Sequence, residues 1–481
     1  MAKQLRVVYL TSEAEPLVKI GGLGDIGGSL PRALLELPEA PDIRVVLPFY
    51  PTIQPNELSL IPAARFTVNH VSGPLPAEVF QVDIHGIPTY LIRGAPIDES
   101  TGVYTSDPYQ DGSKFTFFSL ASLELFRLLN WQPDILHAHD WHTAPAVYYL
   151  RLIRENDKFY KYTKSLLTVH NLPYLGHDTN LALQDFGLPR AHMSALPDWA
   201  EQLPLPLGLL SADKINTVSN GYAQEMLTSE FGANLQGFLR TRKDDLSGIL
   251  NGLDQISWNP ETDPHLSVNY SLDTLPKRME NKAELLKILG LNPDLTKPLL
   301  AMINRMDYQK GVDLVPAALR LISDLDWQAV ILGTGDPDLE SAARKLDDND
   351  PRVRAVLRFD GKLARMIYGG SDLILIPSRY EPCGLTQMIG MRYGCVPLAR
   401  ATGGLKDTII DYQQGKKGES TGFLFEEASS QDLSKTIRRA LAVYQDQRRW
   451  QGLQRRGMKK DFSWTRSAKK YIKLYRELIN R

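Results

Sequence analysis

Short apolar runs alternate with helical patterns through both halves of this chain, and that alternation limits the fold more than any other feature. The runs that we predict as strands are residues 5–10, 44–48, 135–138, 165–170 and 214–219, and then 299–304, 328–333, 372–377 and 396–399. Such runs are typical of strands buried on both faces of a parallel sheet that helices cover. We therefore predict the α/β fold class, with one Rossmann-like domain in each half and a ligand crevice at the carboxyl ends of its strands.

A loop-rich stretch at residues 251–276 separates the two halves, since it carries Asn-Gly, Asn-Pro and Asp-Pro dipeptides that favour turns. We place the boundary near residues 247–252, so the predicted domains are 1–247 and 248–462. A last segment, 463–481, repeats apolar residues at helical spacing behind a serine N-cap and is predicted to be a helix. Its basic residues fit a solvated helix face better than a membrane surface.

The composition is that of an ordinary globular enzyme: 43% of the 481 residues are hydrophobic, 23% are charged, and the formal net charge is -1. A charge so close to zero gives no reason to expect binding to nucleic acid or to a membrane. Two cysteines, Cys383 and Cys395, cannot build a disulfide framework, which favours a reducing compartment. No apolar run reaches the ~18–20 residues of a membrane helix. We expect a cytoplasmic enzyme.

A glycine-rich loop, KIGGLGD at residues 19–25, follows the first predicted strand and precedes a helical pattern at 29–37. Its glycines let backbone N–H groups approach a ligand closely, and the helix N-terminus behind them favours an anion. Lys19 adds a full positive charge. The loop is therefore predicted to hold a phosphorylated small molecule. A dinucleotide oxidoreductase is disfavoured, because the loop lacks the G-x-G-x-x-G pattern and contains Asp25.

Two loops in the second half follow strands and carry charge. Arg305 and Lys310 lie in NRMDYQKG, where a planar guanidinium and a compact ammonium would clamp a diphosphate. Glu381 lies in SRYEPCGL, just before a helical stretch whose dipole would stabilise its ionised form. A carboxylate held anionic suits an oxocarbenium-like sugar, although a helix-capping glutamate is the alternative. A third glycine turn, at Thr402 and Gly403, would add N–H donors for phosphate.

The run HAHDWH, residues 137–142, suggests a different chemistry. His137, His139, Asp140 and His142 are residue types that bind zinc, which would make the chain a metallohydrolase. The familiar metallohydrolase run, however, has its aspartate one place later. Polar lining of the crevice and structural histidines are the other interpretations. His170 and Asn171 end the strand predicted at 165–170 and should face the same crevice as Asp140.

Motifs in a fixed order cover nearly the whole chain: KIGGLGD (19–25), HAHDWH (137–142), TVHNLPYLG (168–176), NGLD (251–254), PETD (260–263), NRMDYQKG (304–311), LGTGDP (332–337), YGGSDLILIPSRYEPCGLTQ (368–387), ATGGLKDT (401–408) and DFSW (461–464). The ordered set resembles bacterial glycogen synthases and plant starch synthases, retaining glucosyltransferases of the GT-B fold. That resemblance implies two Rossmann-like domains facing across a deep cleft, with the C-terminal helix returning to the N-terminal domain.

The resemblance also implies roles for single residues. Those implied to be catalytic are Glu381, His170 and Asp140. Those implied to bind the donor are Lys19, Gly21, Gly22, Asp25, Asn171, Arg305, Lys310, Phe359, Cys383, Gly384, Leu385, Thr402 and Gly403. Arg305 and Lys310 would neutralise the diphosphate that leaves, and Phe359 would stack on the base where relatives carry a tyrosine. No metal or organic cofactor is implied.

Three places in the sequence can be compared with the residues usual in the subgroups of this family. Many wider GT-B relatives carry a second glutamate eight residues after the first, whereas this chain has Ile389, as the glycogen synthase subgroup does. Pro206 replaces a lysine usual in the subgroup, and Asn220-Gly221 replaces Pro-Thr.

We expect transfer of glucose from ADP-glucose, or else UDP-glucose, to the non-reducing end of an α-1,4-glucan. A catalytically silent glucan-binding protein and a metallohydrolase are the alternatives.

Overall fold

A computed structural model describes residues 4–192, 195–413 and 418–480. The chain divides into two compact units, each with its own sheet. Unit 1 consists of Met1–Gly252 together with Trp464–Arg481, and unit 2 is Leu253–Ser463. No helix in the described ranges has both the length and the apolar character needed to cross a bilayer. The prediction of the α/β fold class with one sheet in each half is confirmed.

Within the described residues, unit 1 is built on a nine-stranded sheet with the order β3-β4-β5-β2-β1-β6-β7-β8-β9. The strands are β1 (Arg6–Leu10), β2 (Asp42–Pro48), β3 (Ile61–Val68), β4 (Leu75–Ile84), β5 (Ile87–Arg93), β6 (Ile135–His139), β7 (Lys164–Val169), β8 (Lys214–Thr217) and β9 (Leu246–Gly248). Neighbouring strands pair in parallel along the part of the sheet that runs β5-β2-β1-β6-β7-β8-β9. Strand β4 pairs antiparallel with both β3 and β5.

The antiparallel edge corrects the expectation of a purely parallel sheet. In β3 the side chains are mostly exposed or half-buried, and in β4 buried residues alternate with more exposed ones. A half-solvated strand carries no continuous apolar run, so a search for such runs misses it. In β1, by contrast, Val8 and Leu10 belong to one apolar cluster and Val7 and Tyr9 to another. Both faces of the central strand are thus buried, as predicted.

Helices cover the faces of the unit 1 sheet. They are α1 (Gly22–Leu35), α2 (Ala95–Asp98), α3 (Pro108–Leu128), α4 (Asp140–Arg154), α5 (Asn180–Asp185), α6 (Pro204–Ser211), α7 (Asn220–Glu225) and α8 (Gln236–Thr241). The helical stretch predicted at 29–37 begins earlier, at Gly22. Most of the glycine-rich motif is therefore the first turn of α1 rather than a loop in front of it.

Unit 2 has a six-stranded sheet in the described residues, wholly parallel, with the order β12-β11-β10-β13-β14-β15. Its strands are β10 (Leu299–Ile303), β11 (Gln328–Leu332), β12 (Val353–Val356), β13 (Leu373–Ile376), β14 (Val396–Arg400) and β15 (Phe423–Phe425). Its helices are α9 (Arg278–Leu289), α10 (Leu314–Arg320), α11 (Pro337–Asn349), α12 (Gly361–Gly370), α13 (Thr386–Arg392), α14 (Gly403–Thr408), α15 (Ser430–Tyr444) and α16 (Gln447–Met458).

The last helix, α17 (Trp464–Ile479), belongs to unit 1. Its apolar face joins the cluster under β1 and α1 and includes two tyrosines that are completely buried, Tyr471 and Tyr475. Their hydroxyls have polar partners inside the unit: Tyr475 lies 2.8 Å from Nδ1 of His137, and Asn216 donates to Tyr471 at 3.1 Å. A helix held by such contacts is a structural part of unit 1.

Candidate active site

Asp140 lies at the turn where β6 passes into α4. Its φ is 55°, in the left-handed region that residues other than glycine seldom adopt, and such strain is often found at functional sites. Its carboxylate accepts the backbone N–H groups of His170, at 2.7 Å, and of Asn171. Burial raises the pKa of Asp140 to about 7, against the effect of those two hydrogen bonds. The predicted proximity of Asp140, His170 and Asn171 is observed.

The histidines of this region do not converge on a point. His137 has partners at both ring nitrogens, the Tyr475 hydroxyl and the Thr168 hydroxyl, each at 2.8 Å. His139 Nδ1 lies 2.9 Å from His170 Nε2. Across the described ranges, no three His, Cys, Asp or Glu residues are grouped to hold a metal ion. The hydrogen-bonded arrangement disfavours the metallohydrolase interpretation.

Unsatisfied polar atoms mark the same place in unit 1. Four buried side-chain atoms close to Asp140 in sequence or contact have no hydrogen-bond partner among the described residues: His139 Nε2, His142 Nδ1, His170 Nδ1 and Asn171 Oδ1. Buried polar atoms are usually paired, so such a concentration calls for a functional explanation. A ligand rich in hydroxyl groups would supply the missing partners. Burial lowers the pKa values of His142 and His170 to about 3, which keeps both rings neutral at pH 7.

The start of α1 holds carboxylates as well as the predicted lysine. Glu13 accepts the backbone N–H groups of Ile20 and Gly21 at 2.6 and 2.9 Å through one oxygen, and its other oxygen accepts the Tyr104 hydroxyl. Lys19 pairs with Asp25 at 2.5 Å and with Glu15 at 3.4 Å. Two of the N–H groups that the sequence suggested for phosphate are thus engaged by Glu13. Gly21 and Gly22 face open space.

Neither Glu13 nor Tyr104 was a candidate from the sequence. Glu13 is buried, and a Cβ at Gly27 would lie only 2.1 Å from its backbone oxygen, so this glycine allows the segment to pack on α1. Burial raises the pKa of Tyr104 well above its ordinary value, and the charge of Glu13 adds to the effect. The only sequence signal was an acidic residue just past a strand end, which has many structural explanations.

In unit 2 the structure brings Lys310 and Glu381 together. Lys310 Nζ lies 2.9 and 2.7 Å from the two carboxylate oxygens, and the Ser378 hydroxyl donates to the second oxygen at 2.9 Å. Only 8% of Glu381 is exposed. From the position of Glu381 in the sequence, we expected the dipole of the following helix to stabilise this carboxylate. The observed contacts are instead an ion pair and a hydroxyl.

Arg305 pairs with Asp307 at 2.6 Å and is itself largely exposed. Asp307 also accepts the backbone N–H of Lys310, at 2.9 Å, which fixes the short helical turn Tyr308–Lys310. Each of the two predicted diphosphate ligands therefore has a carboxylate beside it. An anionic ligand would have to compete with those carboxylates for the two cations.

An ion pair, a cation–π contact and a backbone hydrogen bond join the loop of Lys310 to the loop of Glu381. Arg379 pairs with both carboxylate oxygens of Asp313 at 2.8 and 2.7 Å, and its guanidinium lies 3.5 Å from the centre of the Tyr308 ring. The backbone N–H of Arg379 donates to the Gln309 carbonyl at 2.8 Å. These contacts hold two loops about 70 positions apart in one arrangement. No local sequence pattern predicts them.

The residues after Glu381 pack tightly on the third glycine turn. The Gly404 N–H donates to the Glu381 carbonyl at 3.0 Å, and a Cβ at Gly404 would lie 2.0 Å from the Cys383 oxygen. Only glycine fits there. Gln387 holds the carbonyls of Cys383 and Gly384 at 3.1 and 2.9 Å. Leu385 ends the loop directly before α13, and Thr402 and Gly403 begin α14. Phe359 is 89% exposed, on the loop before α12.

The two departures near α6 and α7 are accommodated by the fold. Pro206 lies in the first turn of α6, where a backbone N–H has no carbonyl partner within the helix and its loss costs little. Ser219, which precedes the altered Asn220-Gly221 pair, caps α7 by accepting the Tyr222 N–H. Both helices form with these residues in place.

Known proteins resemble this chain over its whole length. Two family models match the chain: one described as the starch synthase catalytic domain, over residues 6–241, and one described as glycosyl transferases group 1, over residues 288–454. A glycogen synthase from Thermosipho melanesiensis is 38% identical over 484 residues, which is 99% of this chain and 100% of that protein. A glycogen synthase from Moorella thermoacetica is 40% identical over 491 residues, which is 100% of this chain and 98% of that protein.

The chain belongs to the glycogen and starch synthase family. It is therefore a hexosyltransferase, and the resemblance found in its motifs is confirmed. Among solved structures, the catalytic domain of starch synthase IV from Arabidopsis thaliana, bound to ADP and acarbose, has a TM-score of 0.88 and 32% identity, with all of both chains covered. A sucrose-phosphate synthase from Thermosynechococcus elongatus has a TM-score of 0.62 and 19% identity, covers 99% of this chain and 100% of its own, and supports the fold alone.

Proposed function

We propose that this member of the glycogen and starch synthase family transfers glucose from ADP-glucose to the non-reducing end of an α-1,4-glucan, with retention of configuration. The observation that carries the proposal is the Lys310–Glu381 pair, which puts a cation and a carboxylate side by side. Glucosyl transfer needs both charges: a cation for the departing diphosphate and an anion for the oxocarbenium-like sugar.

Arg305 and Lys310 are the proposed ligands of the diphosphate. In the transfer, the bond between the anomeric carbon and the diphosphate oxygen breaks, and its electron pair leaves with the diphosphate. The acceptor's 4-hydroxyl oxygen forms the new bond to the anomeric carbon, and its proton passes to the departing diphosphate. Positive side chains near the leaving group lower the barrier electrostatically. Phe359 is proposed to stack on the base, and the start of α14, at Thr402 and Gly403, to lie near the phosphates.

Glu381 is the proposed group that stabilises positive charge on the glucose. The backbone of Cys383, Gly384 and Leu385 is proposed to hold sugar hydroxyls, since the contacts of Gln387 and Gly404 keep that backbone rigid.

In unit 1, Asp140, His170 and Asn171 are proposed to contact the transferred glucose, because their region holds unpartnered buried polar atoms. Lys19 is proposed to contact the donor's phosphate region. It would do so by exchanging Asp25 and Glu15 for the phosphate, and Gly21, Gly22 and Asp25 would line the donor site beside it.

ADP-glucose is proposed as the donor in preference to UDP-glucose. The related starch synthase IV structure contains ADP, and ADP is the product that ADP-glucose leaves after transfer. For the compartment we propose the cytoplasm, because both cysteines are free and buried, as expected in a reducing environment.

The test is glucan elongation measured in parallel with ADP-glucose and UDP-glucose on a purified glucan primer, with Glu381→Gln as the matched inactive variant. We expect incorporation with ADP-glucose that is lost in Glu381→Gln, and weaker incorporation with UDP-glucose. Glucan binding without incorporation from either donor would instead support the catalytically silent alternative. Faster incorporation from UDP-glucose would overturn the donor assignment while leaving the transferase activity intact.

A further inference from the structure

Two imidazoles connect the ends of neighbouring strands in unit 1. His139 is the last residue of β6, and its Nδ1 lies 2.9 Å from Nε2 of His170, directly after β7. The ring centres are 5.2 Å apart and the ring planes differ by 29°. The backbone N–H of His170 is held at the same time by Asp140, at 2.7 Å. Both the ring and the backbone of His170 are thus fixed by the turn between β6 and α4.

In the hydrogen bond between the two rings, the shared proton belongs either to His139 Nδ1 or to His170 Nε2. Burial lowers the pKa of each ring far below its ordinary value, so each imidazole is neutral and carries a single proton at pH 7. If His139 Nδ1 donates, His139 Nε2 is bare and His170 Nδ1 carries the other proton. If His170 Nε2 donates, the free proton is on His139 Nε2 and His170 Nδ1 is bare.

The surroundings of the two free nitrogens differ. His139 is completely buried, its ring centre 4.3 Å from that of Tyr9 and 4.2 Å from that of His137. In the described residues its Nε2 has no partner, and a buried donor there would cost about 1–3 kcal/mol. His170 is only partly buried as a residue, and it precedes Asn171, whose Oδ1 also lacks a described partner. His170 Nδ1 is also buried and has no described partner, but it belongs to a partly exposed residue beside the unpartnered Asn171 oxygen, so a ligand has nearer access to it than to Nε2 of the fully buried His139, which favours the first arrangement.

We propose that His139 is a positioning residue that fixes His170 in the tautomer with a proton on Nδ1, so that His170 donates a hydrogen bond to a hydroxyl oxygen of the transferred glucose. This inference rests on the proposed function and adds the direction of one hydrogen bond. A donor from His170 complements Asp140, whose carboxylate can only accept when ionised. The neutral pair would keep this direction over the pH range in which an ordinary histidine titrates.

Three variants separate positioning from general support of the fold. His139→Phe removes the donor, and we expect kcat to fall about tenfold or more with the donor KM nearly unchanged. His139→Asn restores an N–H close to the position of Nδ1 and should recover most of the loss. His137→Phe is the matched control, since it removes a buried histidine of the same strand that is not bonded to His170. It should lower the unfolding temperature and leave kcat within about threefold of wild type.

A spectroscopic measurement tests the tautomer itself in the unmodified chain. The protein labelled with ¹⁵N-histidine should show His170 with Nδ1 protonated and Nε2 bare, the signals being assigned by their loss in His170→Asn. Protonation of Nε2, or a His170 ring that titrates between pH 5 and 8, would overturn the proposal even if His139→Phe failed to fold. Full activity of His139→Phe would overturn it as well. Because the spectrum needs no turnover, a wild-type chain without elongation activity would refute the proposed function and leave the tautomer result readable.

Discussion

The polar groups around Asp140 in unit 1 are buried and largely neutral, whereas those around Glu381 in unit 2 are charged and paired. Burial depresses the pKa values of His139 and His170 and raises that of Asp140. In unit 2, Lys310 pairs with Glu381 and Arg305 with Asp307. In the unit 1 cluster, desolvation determines which groups are protonated and therefore which of them donate hydrogen bonds. In the unit 2 cluster, the charged groups are held in ion pairs, and an anionic ligand must rearrange those pairs in order to bind.

The difference has a consequence for substitutions. Removing a charge in unit 2 releases a partner that was neutralised, so ligand affinity and turnover can change in opposite directions. Removing a charge in unit 1 relieves a desolvation cost, so stability can rise while activity falls.

Glu381→Gln should lower kcat about a thousandfold, because a neutral amide cannot stabilise positive charge on the sugar. The amide keeps the shape of the side chain and can still accept from Ser378, so the fold should be unaffected. Initial rates of glucan elongation at saturating donor measure the effect. A kcat within tenfold of wild type would remove Glu381 from the catalytic role.

Asp140→Asn should lower kcat about a hundredfold, since the amide is a weaker hydrogen-bond acceptor than the ionised carboxylate. Its effect on stability should have the opposite sign. The folded-state pKa of Asp140 is raised to about 7, so its protonated form favours the fold, and that contribution is lost as pH rises through about 7. The asparagine variant lacks this loss, and its amide oxygen can still accept the His170 N–H group.

The free energy of unfolding of Asp140→Asn should therefore exceed that of wild type at pH 8, by up to about 4 kcal/mol, and approach it near pH 4. Chemical denaturation at the two pH values measures the difference. A variant that is less stable than wild type at pH 8 would show that the Asp140 carboxylate is stabilised in the fold rather than strained by burial.

Glu13→Gln should raise the donor KM about tenfold with a smaller change in kcat, because a neutral amide oxygen accepts the N–H groups of the Lys19 loop more weakly than a carboxylate and the amide NH2 cannot accept the Tyr104 hydroxyl. Glu15→Gln is the matched control, since Glu15 is exposed and touches the same lysine only at 3.4 Å. Steady-state kinetics of both variants give the comparison. Equal effects of the two would mean that the charge near Lys19 matters, not the buried contact.

The sequence located the strand ends that carry the candidate residues, because buried parallel strands leave continuous apolar runs. Lys310 and Glu381 could each be placed after such a run, but their direct contact spans 71 positions and could not be predicted from either loop. Glu13 was missed for a related reason. Its partners, Ile20, Gly21 and Tyr104, come together only when the chain folds over α1.

Two strands that were not predicted have a different explanation. Strand β3, at the edge of the sheet, and its neighbour β4 are half-exposed and contain no continuous apolar run. Helix α1 begins at Gly22, although glycines normally argue against a helix, because Gly27 and Gly28 let residues 13–15 pack against it. Local preference was overridden there by close tertiary contact.

In unit 2, our proposal requires Lys310 to be shared between Glu381 and the departing diphosphate. Calorimetric titration of ADP into wild type, Glu381→Gln and Lys310→Met measures this sharing. If the claim is right, Glu381→Gln frees Lys310 and binds ADP about fivefold more tightly than wild type, although it is nearly inactive, and Lys310→Met binds ADP more weakly. Weaker ADP binding by Glu381→Gln, or unchanged binding by Lys310→Met, would contradict the claim.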